Sequence, residues 1–344
     1  MPRSSAAERK LAASTDAYLR NCADIGLSER SVRAYTFTIQ GFMDFFIESG
    51  ENLRDPDYAT ILMYRDDLVG RGCKPSTVSQ HLTRLHAFFD FACDPSCGGW
   101  YKTNPVSSRL MPNTRREQKR PYDTLLTDAQ VMRLWRNDRP PTAKAKWWPR
   151  NYAIVIMLLT TELRNAELLH LTPADLKWDE GEIFVEHGKG NKFRRVEFPD
   201  IAQSAVRIYL ASGIRPSDLP DTAPLFGTTS EKGVFGTRER SGEWSVGSPE
   251  WLSTLVLRHV KAVTGVDNIR THDLRHVGAR IDLNSGMPLE ELQAKLGHAS
   301  PIVTQRYSGK LMGKAAKRST ALVVEARERQ AAINEEVLAA AQGA

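Results

Sequence analysis

The chain has 344 residues, more than one hydrophobic core usually organises, so two domains are expected. Its hydrophobic fraction of 41% and charged fraction of 26% suit a globular protein, and a net charge of +6 implies an anionic partner only where the charge is concentrated. A polar stretch from Met1 to Lys10, with no apolar run of signal-peptide or membrane-spanning length after it, argues against secretion and membrane insertion and predicts a cytoplasmic location.

Apolar residues recur at helical spacing around Tyr18-Leu19, through Tyr35, Ile39, Phe42, Met43 and Phe46, from Ile61-Leu62 to Leu68, and at Val78, Leu82, Leu85, Phe88 and Phe89. Four helices fit, with Ser28 and Ser76 as N-caps, Pro75 ahead of the latter, and Gly50 and Gly70 just past helix ends. Residues 1–104 therefore read as a small all-helical domain. Cys22, Cys73, Cys93 and Cys97 form no CxxC pair, so neither a disulfide framework nor a zinc ribbon is written here. Cys93 and Cys97 with His81 and His86 have ligand chemistry, but helical spacing equally places them in a packed core, and no metal is expected.

Residues 105–122 read as a linker within a basic stretch that carries Lys102, Arg109, Arg115, Arg116, Lys119 and Arg120 against the single acid Glu117. It is either a solvated hinge or a segment lying along a phosphate backbone. Beyond it Thr127 caps a helix to Trp135, and Trp148 to Leu159 is apolar enough to be a central helix. Ile183-Phe184-Val185 and Val196-Glu197-Phe198 predict a hairpin with Lys189 and Lys192 in its glycine turn. A helix follows near Ala202 to Ala211, then a long polar loop from Gly227 to Pro249, and then helices at Pro249 to Val263, Thr271 to Asn284 and Pro288 to Leu296. A short helix carries Tyr307, and a last, Ala-rich helix from Lys314 presents Leu322, Ala326, Ile333 and Val337.

His272 and Arg275, three apart on a helix capped by Thr271, share one face of its first turn, where an anion is the natural ligand. Arg164 begins a short helix with Glu167 one turn on. That spacing reads either as a surface salt bridge or, because Leu163, Leu168 and Leu169 imply packing on both sides, as a held and oriented guanidinium. Lys189 decorates a hairpin tip for solubility or delivers a proton to a leaving alkoxide. Tyr307 is either a core tyrosine or a nucleophile, since a phenol near cations readily becomes a phenolate. Jointly, the two arginines Arg164 and Arg275 and the two histidines His272 and His298 neutralise a phosphoryl group without a metal, and no P-loop, Gly-x-Ser-x-Gly or His-Glu-x-x-His motif competes.

In this order, Thr161-Glu-Leu-Arg164-Asn-Ala-Glu167, Gly188-Lys189-Gly-Asn-Lys, His272-Asp-Leu-Arg275, Leu296-Gly-His298 and Tyr307 resemble the tyrosine recombinases, or phage-type integrases, most nearly those of Xer type. Gly26 to Tyr35 and the Thr77 to Phe91 helix are similar to that family's helical core-binding domain. The resemblance implies a mainly α fold with a small antiparallel β-sheet: a SAM-like core-binding domain and a topoisomerase IB-like catalytic domain over 123–312, closing on DNA as a C-shaped clamp. It assigns 313–344 to a helix that docks on a neighbouring subunit, though that helix equally folds back on its own domain.

By the same resemblance Arg164 and Arg275 clamp the scissile phosphate, His272 assists proton removal, Lys189 protonates the leaving 5′-oxygen, His298 donates to the phosphate, Glu167 props the pocket and Tyr307 attacks. Site-specific recombination follows, through a 3′-phosphotyrosyl intermediate and a Holliday junction. It would be carried out by a nucleoid-associated homo-tetramer on two double-stranded DNA duplexes, without metal, ATP or another cofactor. A type IB topoisomerase, or a DNA-binding protein with a vestigial site, are the alternatives. Nothing in the residues names accessory proteins, and the early start of the core-binding helices leaves no room for a separate arm-binding domain. The chain departs from the family pattern at Glu162, where glycine is usual, and at Val277, where a small hydroxyl residue is usual.

Overall fold

In the computed structural model, residues 5–49, 55–113, 125–139, 145–186, 193–227, 246–297, 304 and 314–342 are described. The chain divides into two compact units, Met1–Lys119 and Arg120–Ala344. No helix among the described residues is long and apolar enough to cross a membrane.

Four helices build the first unit: α1 (Ala6–Asp24), α2 (Glu29–Glu48), α3 (Tyr58–Gly70) and α4 (Pro75–Cys93). Ser5, Ser28 and Asp57 each accept a hydrogen bond from the main chain three residues on, which satisfies an otherwise orphaned N–H. At α4 the expectation is corrected. Lys74 is the N-cap and Pro75 is the first helical residue, where its missing N–H costs nothing, so Ser76 lies inside the helix. Gly70 likewise belongs to α3, and the left-handed residue that follows is Gly72, at φ +78°. Gly50 lies outside the described residues.

The core of this unit is aromatic, with Phe42, Phe46, Tyr64, Phe88 and Phe89 buried and Phe42 meeting the Tyr64 ring edge-on at 5.3 Å. His81 Nδ1 lies 3.0 Å from the Tyr64 hydroxyl and His86 pairs with Asp90, so both histidines have partners within the helical packing. Among the described residues no group of His, Cys, Asp and Glu is arranged to hold a metal. Lys102 and Arg109 are exposed, while Arg115, Arg116, Lys119 and Arg120 lie outside the described residues.

The second unit comprises α5 (Asp128–Trp135), α6 (Trp148–Thr160), α7 (Asn165–His170), β1 (Leu176–Lys177), β2 (Glu182–Val185), β3 (Arg194–Glu197), α8 (Asp200–Ala211), α9 (Pro249–Thr264), α10 (Thr271–Ser285), α11 (Leu289–Leu296) and α12 (Lys314–Gln342). Helix α6 is buried on every side from Tyr152 to Leu159, as an all-round apolar helix must be, and α8, α9 and α10 pack around it. At the α6–α10 crossing the backbones approach at Gly278, where a Cβ would lie 2.3 Å from the Leu159 carbonyl oxygen. Only glycine fits there.

The hairpin is the middle and edge of a three-stranded antiparallel sheet ordered β1-β2-β3, with Ile183 opposite Val196 and Phe184 opposite Arg195. Strand β1 is too short to show a period in the sequence. Ile183, Val185 and Val196 face the core, and the two-residue repeat puts Arg194 on the same side of β3 as Val196. The hairpin tip with Lys189 and Lys192, the loop over 228–245, His298 and Tyr307 lie outside the described residues.

Helix α12 corrects the expected apolar stripe. It packs on α8, α5 and α10 of its own unit through Val323, Ala331, Asn334 and Leu338, while Leu322, Ile333 and Val337 are exposed. The cause is a polar anchor: Asn334 Nδ2 donates to Ser204 Oγ at 3.0 Å, and Arg207 pairs with Glu335, which together select one of two apolar stripes on an alanine-rich helix. Leu338→Ala should lower the unfolding free energy by about 2–3 kcal/mol and Leu322→Ala by under about 0.5 kcal/mol in urea titrations. Equal losses would mean that the stripe is wrongly assigned.

Candidate active site

Helix α6 ends at Thr160, and the chain turns through Thr161 and Glu162, the latter in the left-handed region at φ +54°, to reach Arg164, the N-cap of α7. Glu167 accepts the Arg164 backbone N–H at 2.7 Å through Oε2 and Arg164 Nη1 at 2.7 Å through Oε1. Arg194 Nη2 donates to the same carboxylate at 2.7 Å. The pair is therefore no surface salt bridge, since the Glu167 side chain is 1% exposed. Burial pushes its pKa up, but the Arg194 charge and the bonds from Arg194 and Arg164 outweigh that and hold it below the usual carboxylate range.

The arginines converge on the C-terminal end of α11, where the last carbonyls of a helix lack intrahelical donors and the helix dipole is negative. Arg194 Nη1 donates to the Lys295 carbonyl, Arg275 Nη2 to that of Leu296, and Arg164 Nη2 to those of Leu296 at 3.1 Å and Gly297 at 2.7 Å. The other Arg275 nitrogen of the fork, Nη1, donates to the Glu162 carbonyl, and Nε has no partner among the described residues. Arg275 is 2% exposed, and burial, followed by the charges of Arg164 and Arg194, pushes its pKa down to about 10, so it stays charged at neutral pH. Gly297 sits at φ +60°, in the left-handed region that favours glycine, and an added Cβ would come within 3.1 Å of Arg194 Cδ and crowd that side chain.

His272 lies in the first turn of α10 with its ring 4.4 Å from that of His276. It reaches solvent, yet the surrounding protein and then Arg275 lower its pKa, leaving a neutral imidazole that can take a proton. The cap differs from expectation: Arg270 is the N-cap, with its N–H accepted by the Asp273 carboxylate at 2.9 Å, and the Thr271 hydroxyl instead accepts from Asn165 Nδ2 at 2.7 Å. That bond ties α10 to α7, and with them His272 to Arg164.

Of the residues singled out from sequence, Arg164, Glu167 and Arg275 are brought together. Arg194 is hidden in the sequence by its cationic neighbours, although the Val196 alternation marks it as inward-facing. Asp282 and Lys295 carry no motif. They form a buried ion pair under the arginines, with Lys295 Nζ also 3.6 Å from Glu162 Oε1. Three guanidinium groups against the Glu167 carboxylate leave an excess of positive charge suited to a phosphodiester, the arrangement that phosphoryl transfer needs.

A protein-family model described as the phage integrase family matches residues 125–313, more than half of the chain. The chain belongs to the phage integrase family. Among similar curated integrases of this kind, tyrosine recombinase XerD of Caulobacter vibrioides is 29% identical over 297 residues, covering 85% of this chain and 90% of that protein. Tyrosine recombinase XerC of Corynebacterium glutamicum is 28% identical and covers 83% and 82%. This phage integrase is accordingly a Xer-like tyrosine recombinase, an enzyme of site-specific recombination. Its fold matches that of XerH site-specific recombinase bound to difH substrate in a post-cleavage complex, with TM-score 0.69 at 18% identity, covering 94% of this chain and 98% of that one. It also matches a lambda integrase fragment dimer bound to a COC′ core site, with TM-score 0.58 at 17% identity, covering 88% and 96%.

Proposed function

We propose that this recombinase cleaves and rejoins double-stranded DNA at specific core sites through a covalent bond to Tyr307. The observation that carries the reading is the convergence of Arg164, Arg194 and Arg275 on the end of α11, which supplies fixed positive charge where a scissile phosphate would sit. The Tyr307 oxygen attacks phosphorus, its proton passes to the neutral His272, and the P–O5′ bond breaks with Lys189 protonating the departing 5′-oxygen. His298, the residue after Gly297, donates to a non-bridging oxygen. Arg164 and Arg275 neutralise the charge, so side chains supply what a metal would, and the phosphotyrosyl ester conserves the bond energy that ATP would otherwise provide.

The free 5′-hydroxyl then attacks the phosphotyrosyl phosphorus on the partner duplex, forming a new P–O5′ bond as the bond to Tyr307 breaks and the tyrosine leaves with a proton returned by His272, and exchange of one pair of strands yields a Holliday junction. Exchange of this kind calls for two duplexes and a homo-tetramer, for which the outward Leu322, Ile333 and Val337 of α12 offer apolar surface. DNA contact through Lys102, Arg109, Arg115, Arg116, Lys119 and Arg120 and a cytoplasmic, nucleoid-associated location accord with this reading. DNA-bound XerH and lambda integrase complexes support it.

The test is covalent trapping with a pool of nicked duplexes that carry randomised core sites. Wild type should form denaturant-resistant adducts whose DNA defines the site, and Tyr307→Phe should form none. No adduct from wild type, or an equal amount from Tyr307→Phe, would refute the catalytic reading. Relaxation of supercoiled DNA lacking that site by a monomer would favour a topoisomerase instead.

A further inference from the structure

Glu162 combines two features that proteins usually avoid. It is a fully buried acid, and among the described residues it is one of two non-glycine residues with positive φ. Among the described residues neither carboxyl oxygen has a well-formed hydrogen bond, and its nearest polar neighbours are Asp282 and, at 3.6 Å, Lys295 Nζ. The side chain lies against Gly278, whose added Cβ would meet Glu162 Cγ at 3.1 Å and Oε1 at 3.0 Å, so the absence of a side chain on α10 makes room for it. An acid kept in such a place is held by what surrounds it.

Two routes lead from this residue to the arginines. The first is direct, because the left-handed turn presents the Glu162 carbonyl to Arg275 Nη1. The second runs through the side chain to Lys295 Nζ at 3.6 Å; Lys295 also bonds Asp282, and its own carbonyl accepts from Arg194, one residue before the carbonyl shared by Arg164 and Arg275. The groups facing Glu162 are Asp282 and Arg275 from α10 and Lys295 from α11, with Glu197 of β3 acting on Lys295. Burial first, and then the Asp282 carboxylate, raise the Glu162 pKa well above the usual range against the pull of Lys295, which disfavours the ionised form of the side chain wedged beside the Lys295–Asp282 pair.

We infer that Glu162 is a positioning residue for strand cleavage: its carbonyl aims Arg275, and its side chain, wedged between Gly278 and Lys295, fixes the α11 carbonyls that aim Arg164 and Arg194. The inference rests on the reading of Arg164 and Arg275 as the phosphate clamp. It predicts that Glu162→Ala slows single-turnover cleavage of the trapped core site about 10–100-fold, the scale of a small misplacement of catalytic groups. DNA affinity should stay within about twofold, since most of it comes from contacts elsewhere. Glu162→Gln, which keeps the size and carries no charge, should restore the rate to within about threefold of wild type, as expected of a wedge rather than a charge.

The deciding measurement compares an ordinary scissile phosphodiester with a methylphosphonate at the same linkage, which has no charge for the arginines to neutralise. The ratio of the two rates in one preparation is independent of how much of a variant is folded. If Glu162 acts through the arginines, the Glu162→Ala defect should shrink to under about threefold on the methylphosphonate, because the interaction it aims is no longer required. A Glu162→Ala enzyme as fast as wild type on the phosphodiester, or equally slow relative to wild type on both linkages, would overturn the inference. Absence of any wild-type adduct would instead refute the clamp reading itself.

Discussion

Replacing Arg275 with alanine is expected to slow strand cleavage about 10²–10³-fold, the usual effect of removing one preorganised donor from a developing negative charge. The fork is already anchored by the Glu162 and Leu296 carbonyls, so no reorganisation is needed when a phosphate arrives, and burial strengthens whatever its remaining N–H groups meet. Lysine should not substitute: a single ammonium cannot span two carbonyls on different elements and also face a ligand. Single-turnover rates on the trapped core site, with binding measured separately, check this. An Arg275→Lys enzyme cleaving near the wild-type rate would show that point charge, and not the fork, is what matters.

Loss of Glu167 should be felt mainly in stability. Its carboxylate is the shared acceptor of Arg164 and Arg194, so Glu167→Gln leaves two partly buried guanidinium groups facing a neutral amide and should cost about 3–5 kcal/mol. The pH dependence has a definite sign. Because the folded pKa lies below the unfolded value, the carboxylate contributes stability that is fully present above an unfolded pKa of about 4.3 and is lost as pH falls through the folded value. Urea unfolding of wild type and Glu167→Gln should therefore diverge at neutral pH and converge in acid. A constant gap down to about pH 3 would assign the loss to packing.

Much of this architecture is legible in the residues. The buried α6 shows as an unbroken apolar stretch, Ser28 and Thr127 stand where the caps are, and the Arg164–Glu167 spacing describes a contact that exists. What escapes the sequence has physical causes. The platform for the arginines is main-chain carbonyl, which every residue carries and no letter marks. Arg194 is one cation among several in its hairpin, and only strand alternation separates it from Arg195. Helix α12 has two apolar stripes, and Asn334, a polar residue, decides between them. Ser76 and Thr271 lie inside the helices that the sequence has them cap, because Lys74 and Arg270 already have the extended backbone an N-cap needs.

The end of α11 acts as a ruler. Since three arginines from α7, β3 and α10 read successive carbonyls at positions 295, 296 and 297, their mutual spacing is set by the main chain at the end of α11 and its left-handed exit at Gly297, and not by the exposed side chains of α11. Exposed positions of that helix are thus free to vary in chemistry. Its length is not: one residue added or removed between Leu289 and Leu296 would turn the terminal carbonyls by about 100° and shift them by about 1.5 Å, misaligning all three arginines in a single step.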